Sequence, residues 1–256
     1  MQWYFGHAKR SSREHAAREA ESEYIPLSDV PSAEDRDPHM LTIRRFPVGP
    51  YQANAWIAFD EPRHEAILVD AGAEPERLLG ELEAGGYALR AILQTHAHAD
   101  HIAALPEVVA ATRATVYLHP DAEPMLHSAD ENLSAMAGMP VTAPVAYTPV
   151  RDGDRLELLG REVVVYHTPG HAPGSVCYHL PSEGVVFTGD ALFQGSIGRT
   201  DFPGGSLETL LRGIREKLLV LPDGTRVLAG HMGPSTIERE RRSNPFLQDG
   251  REWGAR

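Results

Sequence analysis

The chain has 256 residues, with 42% hydrophobic and 23% charged side chains, enough for one sizeable packed domain. Asp and Glu number 36 against 24 Lys and Arg, a formal charge of -12, and a field of that sign repels the phosphate backbone, so nucleic acid is a poor partner. The single cysteine, Cys177, excludes an internal disulfide framework and a cysteine-rich metal site.

The opening MQWYFGHAKRSSREHAAREAE lacks the apolar centre of a secretory signal, and no apolar run is long enough to cross a bilayer. A cytoplasmic protein with no membrane partner is the expectation. Residues 1–39 mix basic and acidic side chains with little to bury, so they read as a disordered or weakly helical tail, a solvated extension or a misplaced start upstream of Met40. A docking arm built on Trp3, Tyr4 and Phe5 is the alternative. The domain proper then runs over residues 40–256.

From Met40 onward short β-rich runs alternate with amphipathic stretches. LTIRRF, NAWIAF and EAILVD read as strands, PERLLGELEAGG as a helix, and LRAILQT as a strand that ends directly on histidines. LPEVVAAT is helix-like and TVYL strand-like, and a Pro-, Met- and Ala-rich connection follows from His119 to Pro149. Then come the strands REVVVYH, SVCYHL and GVVFTGD, a helix from Ser206 to Leu218, the strand TRVLAG, and the polar helix TIERERRS closed by Asn244-Pro245. Strands interleaved with helices, without a fixed-period repeat, predict sheets covered by helices in an α/β layered domain.

Three histidines share one heptapeptide, Thr95-His96-Ala97-His98-Ala99-Asp100-His101. Protonated imidazoles so crowded would repel each other, whereas a divalent cation turns the crowding into coordination by neutral rings. His96 and His98, two apart in an extended loop, can point the same way, while Asp100 and His101 turn toward another side. Three further strands end on potential ligands beside a glycine: VVVYHTPGH at His171, GVVFTGD at Asp190 and TRVLAGH at His231. The inventory is His96, His98 and His171 for one ion, Asp100, His101 and His231 for a second, and Asp190 as a bridge. Nitrogen and oxygen donors of this kind suit zinc, iron or manganese and do not choose among them.

These residues resemble the metallo-β-lactamase superfamily, whose H-x-H-x-D-H motif stands here as His96 to His101. Asp70 in ILVDAGA, His171 in HTPGHAPGS, Asp190 in FTGDALF and His231 in LAGHMGPST follow in that family's order, from about Leu41 to Leu247. The resemblance implies an αββα four-layer sandwich with two metal ions at one edge of two facing sheets, and Asp70 as a support of the metal loop. GSIGRTDFPGGS and ERERRSNPFL look most like small bacterial hydrolases of the glyoxalase II type. That likeness implies hydrolysis of an S-acyl glutathione such as S-lactoylglutathione, with Arg199, after Gly198, contacting the glutathione portion; an ion pair of Arg199 with Asp201 or a neighbour that shapes the loop is the alternative. The family's loop tyrosine has no match, since Asp201 stands two places after Arg199, and the long helical extension that supplies other glutathione contacts is absent. Met232 also displaces the glycine of the usual G-H-G-P around His231.

In the implied mechanism, coordination lowers the pKa of water from about 15.7 to about 7, so a nucleophile is preformed at neutral pH. Asp100 orients that water and takes its proton, and a thiolate with a parent pKa of about 8.5 leaves without a general acid. Persulfide dioxygenases share the T-H-x-H-A-D-H and G-R-T-D-F motifs and hold a single iron, here by His96, His171 and Asp190; this is the runner-up reading. Lactonase or esterase activity and a non-catalytic binding protein are further alternatives, the last disfavoured because the ligand set is complete. His7, His15, His39 and His64 read as surface groups, and His119, His127, His167 and His179 as lacking ligand-like partners. Cys177, mid-strand in SVCYHL, reads as a buried inert thiol and Trp56 as core.

Overall fold

A computed structural model describes residues 40–248. The expectations for residues 1–39, including His7, His15 and His39 and the aromatic triplet at the N-terminus, lie outside the described residues.

The first half of the domain builds one sheet. Its strands are β1 (Thr42–Val48), β2 (Ala53–Asp60), β3 (Glu65–Val69), β4 (Ala88–Leu93), β5 (Thr115–Leu118) and β6 (Thr148–Pro149), in that spatial order. The β1–β2 and β2–β3 pairs are antiparallel, and β3 through β6 run parallel. The parallel crossovers carry helices α1 (Pro75–Ala84), α2 (Ala99–Ile102) and α3 (Leu105–Thr112), and α4 (Glu123–His127) lies in the connection before β6. α1 forms because Pro75 opens it with φ already set, Leu78 and Leu82 recur on one face, and Gly85 and Gly86 stop it, Gly86 at φ +66°.

The second half mirrors the first. Strands β7 (Arg155–Leu158), β8 (Arg161–His167), β9 (Val176–Leu180) and β10 (Val185–Gly189) form an antiparallel meander, followed by the small hairpin β11 (Leu192–Phe193) and β12 (Ser196–Ile197). Helix α5 (Leu207–Gly213) is extended by a π-helical turn over Ile214–Leu218 and returns the chain to β13 (Arg226–Ala229), which pairs in parallel with β10. β14 (Ser235–Thr236) and α6 (Ile237–Ser243) complete the sheet, whose order is β14-β13-β10-β9-β8-β7.

Period-two alternation along the strands divides the buried side chains among three layers. Trp56 and Ala58 of β2 face the second sheet, packing in one cluster with Val163, Val165, Tyr178, Phe187 and Leu228. Ile57 and Phe59 face the other way, onto Leu78 and Leu82 of α1 and Leu105 and Val108 of α3. On the far side of the second sheet, Cys177, Val186 and Val227 pack against Leu210 of α5, Ile214 and Leu218 of its π turn and Ile237 of α6. Helix, sheet, sheet, helix is therefore the order of layers, the αββα sandwich. Each fully buried Leu, Ile or Phe in these clusters contributes roughly 1.5–3 kcal/mol. Trp56 also ties the core to the sheet edge, because its indole N–H donates to the Ala229 carbonyl at 2.9 Å, two residues before His231.

Candidate metal centre

Asp70, His96, His171, Asp190 and His231 all follow the C-terminal ends of strands, namely β3, β4, β8, β10 and β13. Because β3 is parallel to β4, and β8, β10 and β13 run in one direction within their sheet, these ends gather along one edge of the sandwich. There His96, His98 and His171 form one group of converging ligand atoms, and Asp100, His101 and His231 form a second. Asp190 lies between them, with Oδ1 3.5 Å from His101 Nε2 and Oδ2 3.5 Å from His171 Nε2 and 3.6 Å from His231 Nε2. All seven side chains that the sequence reading assigned to metal are thus brought together.

For three of the rings, which nitrogen faces inward is set from outside, while His98 Nδ1 meets His171 Nε2 at 2.9 Å inside the centre. His171 Nδ1 meets the Arg199 carbonyl at 2.8 Å, His101 Nδ1 meets Asp70 Oδ2 at 2.9 Å, and His96 Nδ1 meets Thr95 Oγ1 at 3.1 Å. Each leaves Nε2 for the centre. Asp70, in the left-handed region at φ +60°, also accepts from the Thr95 amide at 2.8 Å and the Thr95 hydroxyl at 2.7 Å, so one carboxylate braces both ends of the metal loop. Gln94 completes the brace by donating to the His101 carbonyl at 2.9 Å and accepting from the Ala71 amide at 3.0 Å. Sequence reasoning missed Gln94 and Thr95; their only signal was their place directly before His96.

Two glycines let the backbone press on the ligands. A Cβ at Gly230 would overlap Asp190 Oδ1 and lie 2.7 Å from His101 Cε1, and one at Gly198 would overlap the Asp190 carbonyl and lie 3.1 Å from His171 Cγ.

The electrostatics are polarised. Burial first, and then the neighbouring imidazoles, push His96 well below the usual histidine value, and the same causes take His98 down to about 3. Burial opposes protonation of His101 too, yet the carboxylates of Asp100, Asp190 and Asp70 outweigh it and raise that ring to about 10. Asp100 is held below the ordinary carboxylate range against its burial, chiefly by His101 and a hydrogen bond with His231. One side therefore presents neutral imidazoles, and on the other the carboxylates of Asp100, Asp190 and Asp70 surround His101.

The donor set fits a metal on an independent observation. His96 Nε2, His101 Nε2 and Asp190 Oδ1 are buried and have no hydrogen-bond partner among the described residues, a costly state for groups that aim at a common centre. Ring planes cross steeply there, at 87° for His96 with His98 and 78° for His96 with His171, so in-plane lone pairs from different directions can meet.

One expectation outside the centre is corrected. His119 and His167, read as lacking ligand-like partners, stack on each other with centroids 4.1 Å apart and planes 8° from parallel, and Asp121 lies beside them. The three side chains bring potential ligand atoms within 4.8 Å of one another, and His119 Nδ1 accepts from the Asp121 amide at 3.2 Å. His64 is exposed, as expected. Cys177 is buried beside Thr168, and burial pushes its thiol up to about 12, which leaves it inert. Arg199 holds Asp201 through Nε and Nη2 at 2.7 and 2.6 Å, and its guanidinium lies 3.9 Å over the Phe202 ring. Met232 takes the left-handed conformation at φ +65°, and its carbonyl accepts from Arg45 at 2.9 Å and Asn54 at 3.0 Å, so the loop after His231 is held without the glycine.

The sequence profile of the metallo-β-lactamase superfamily matches residues 48–231, the stretch that contains every one of these candidate ligands. The chain belongs to the metallo-β-lactamase superfamily. Among superfamily relatives, the probable metallo-hydrolase YqgX of Bacillus subtilis is 44% identical over 206 residues, 80% of this chain and 96% of that protein. The hydroxyacylglutathione hydrolase GloC of Haemophilus influenzae is 37% identical over 211 residues, 81% of this chain and 98% of that protein. Among solved superfamily structures, the BLEG-1 B3 metallo-β-lactamase matches with a TM-score of 0.77 at 39% identity, covering 80% of this chain and 99% of that one. TTHA1623 in a di-iron-bound form matches with a TM-score of 0.70 at 37% identity, covering 80% of this chain and 100% of that one. Members of the superfamily are metal-dependent hydrolases, and the His and Asp groups of this chain provide for divalent ions. No described helix is long and apolar enough to cross a membrane.

Proposed function

We propose that the chain is a dinuclear metal-dependent thioesterase of the hydroxyacylglutathione hydrolase type, acting on S-acyl thiols such as S-lactoylglutathione. The observation that carries this reading is the pair of ligand groups with Asp190 between them and unpartnered buried atoms aimed inward. His96, His98 and His171 would hold one ion and Asp100, His101 and His231 the other, with the Asp190 carboxylate between the two groups. Zinc is the first assignment, and the di-iron relative supports iron as an alternative occupant. Bound divalent ions supply an activated water at neutral pH and polarise the acyl carbonyl.

The chain's own residues set the direction of approach. His101 and His171 are closed off, whereas the side chains of Asp100 and His231 are 23% and 24% exposed. Water and substrate therefore reach the centre over Asp100, which orients the water and takes its proton. Phe202 lies 5.8 Å from His98 and Phe193 6.0 Å from His231, apolar walls that carry no proton to give. A thiolate leaving group needs none, whereas the amine leaving an amide does, so the walls favour thioesters.

Arg199 is the substrate contact in this reading. Its carbonyl orients His171 while its side chain, half exposed, offers a guanidinium fork that exchanges Asp201 for a substrate carboxylate. Arg199→Ala is expected to raise KM for S-lactoylglutathione roughly tenfold with kcat within about twofold of the parent. Steady-state kinetics check this, and an unchanged KM removes the contact. The activity itself is tested by thioester turnover before and after chelation. Loss of turnover on metal removal and its return with added zinc are expected, and unchanged turnover in metal-free protein would reject the proposal.

A further inference from the structure

We infer that Asn132, far from the ligands in sequence, is a positioning residue that clamps the peptide between His98 and Asp100; this rests on the metal-centre reading above. Ala99 opens the four-residue helix α2, and the first amide of so short a helix has no partner inside it. That N–H donates to the Asn132 carbonyl at 3.1 Å. Ala99 separates His98, assigned to one ion, from Asp100, assigned to the other. A single hydrogen bond thus fixes the peptide from which two ligands diverge toward different ions.

The clamp is stiff because Asn132 is fully occupied. The residue is 1% exposed. Its Nδ2 donates to the carbonyls of Met125 and Val141, both at 2.9 Å, and its Oδ1 accepts from the Ser134 amide at 3.1 Å and hydroxyl at 2.6 Å. The Asn132 amide donates to the Ser128 carbonyl at 3.0 Å, and Ser134 Oγ accepts from the Val141 amide at 2.9 Å. Apart from the carbonyl that meets Ala99, every polar atom of Asn132 is satisfied within residues 125–141, so that carbonyl cannot turn away without breaking several buried bonds. Those bonds tie α4 to the loop and, through Ala99, to the ligands. Outer partners that orient ligands in this way commonly govern metal affinity by 10–100-fold.

Two variants separate the clamp from simple loop stability. Asn132→Ala removes the hub. Ala99→Pro breaks the same bond from the other side: His98 sits at φ -64°, ψ 150°, the conformation a residue before proline adopts, and the first helical position accepts proline, while the ring Cδ takes the place of the hydrogen that meets the Asn132 carbonyl and displaces that carbonyl. Zinc affinity of the full chain, read by competition with a chromophoric chelator, is expected to fall about tenfold or more in each variant. The double variant is expected to be no more than about threefold weaker than the weaker single, because both break one linkage. Zinc affinity within twofold of the parent in folded Ala99→Pro, checked by circular dichroism, overturns the inference; so do losses that multiply in the double variant. Should Asn132→Ala fail to fold, Ala99→Pro decides alone. Weaker zinc binding in a protein whose parent lacks thioester turnover keeps the clamp and removes the proposed activity, whereas normal zinc affinity alongside turnover does the reverse.

Discussion

Asp190→Asn is expected to lower kcat/KM for thioester hydrolysis by on the order of 10³-fold and to reduce the metal content of the purified chain. The substitution keeps the shape of the side chain, so no cavity or clash confuses the result. It removes the negative charge that lies within 3.5 Å of His101 and His171 and 3.6 Å of His231. It also exchanges one carboxylate oxygen for an NH2 that donates, and a donor cannot serve a cation. Asp190 Oδ1 is buried without a hydrogen-bond partner among the described residues, so no other hydrogen bond among them depends on that oxygen. Steady-state kinetics with elemental analysis of the same preparation provide the check, and a rate within tenfold of the parent contradicts the bridging role.

Gly230→Ala is expected to cost roughly 10²-fold in kcat and about 1–3 kcal/mol of stability. The new methyl would overlap Asp190 Oδ1 and come within 2.7 Å of His101 Cε1. The backbone cannot step aside, because the Gly230 amide donates to the Gly189 carbonyl at 2.8 Å and its carbonyl accepts from the Asn54 amide at 2.7 Å. The ligands must move instead, and displacement of reacting groups by about 1 Å is enough for a loss of that size. Kinetics and urea midpoints measured together test this. Parental kcat in a folded variant shows that the centre tolerates what the packing forbids.

The candidate ligands were legible because each carries its own side-chain chemistry: His96, His98, Asp100 and His101 share one short segment after an apolar run, and His171, Asp190 and His231 follow apolar runs beside a glycine. The layers were legible for a similar reason: REVVVYH and GVVFTGD alternate faces, so Val165 and Phe187 enter the space between the sheets while Val186 meets α5 and α6. The two-residue strands β6, β11, β12 and β14 were not, since two residues have no period. The connection from His119 to Pro149, read only as a connection, contains α4 and the loop that grips Ala99. Asn132 acts there through a carbonyl that every residue possesses, and no residue type announces it. Thr95 and Gln94 stayed hidden because their partners, Asp70, Ala71 and His101, arrive only when β3 and β4 pair. The stack of His119 on His167 likewise depends on β5 and β8 facing each other across two sheets.

The central claim is a pair of divalent ions held for hydrolysis, and the most direct measurement is the metal content of the active protein by elemental analysis, paired with two assays. The account predicts two ions per chain, cleavage of S-lactoylglutathione that disappears with the metal, and no oxygen uptake with glutathione persulfide. One iron per chain, with oxygen consumed and thioester untouched, contradicts it.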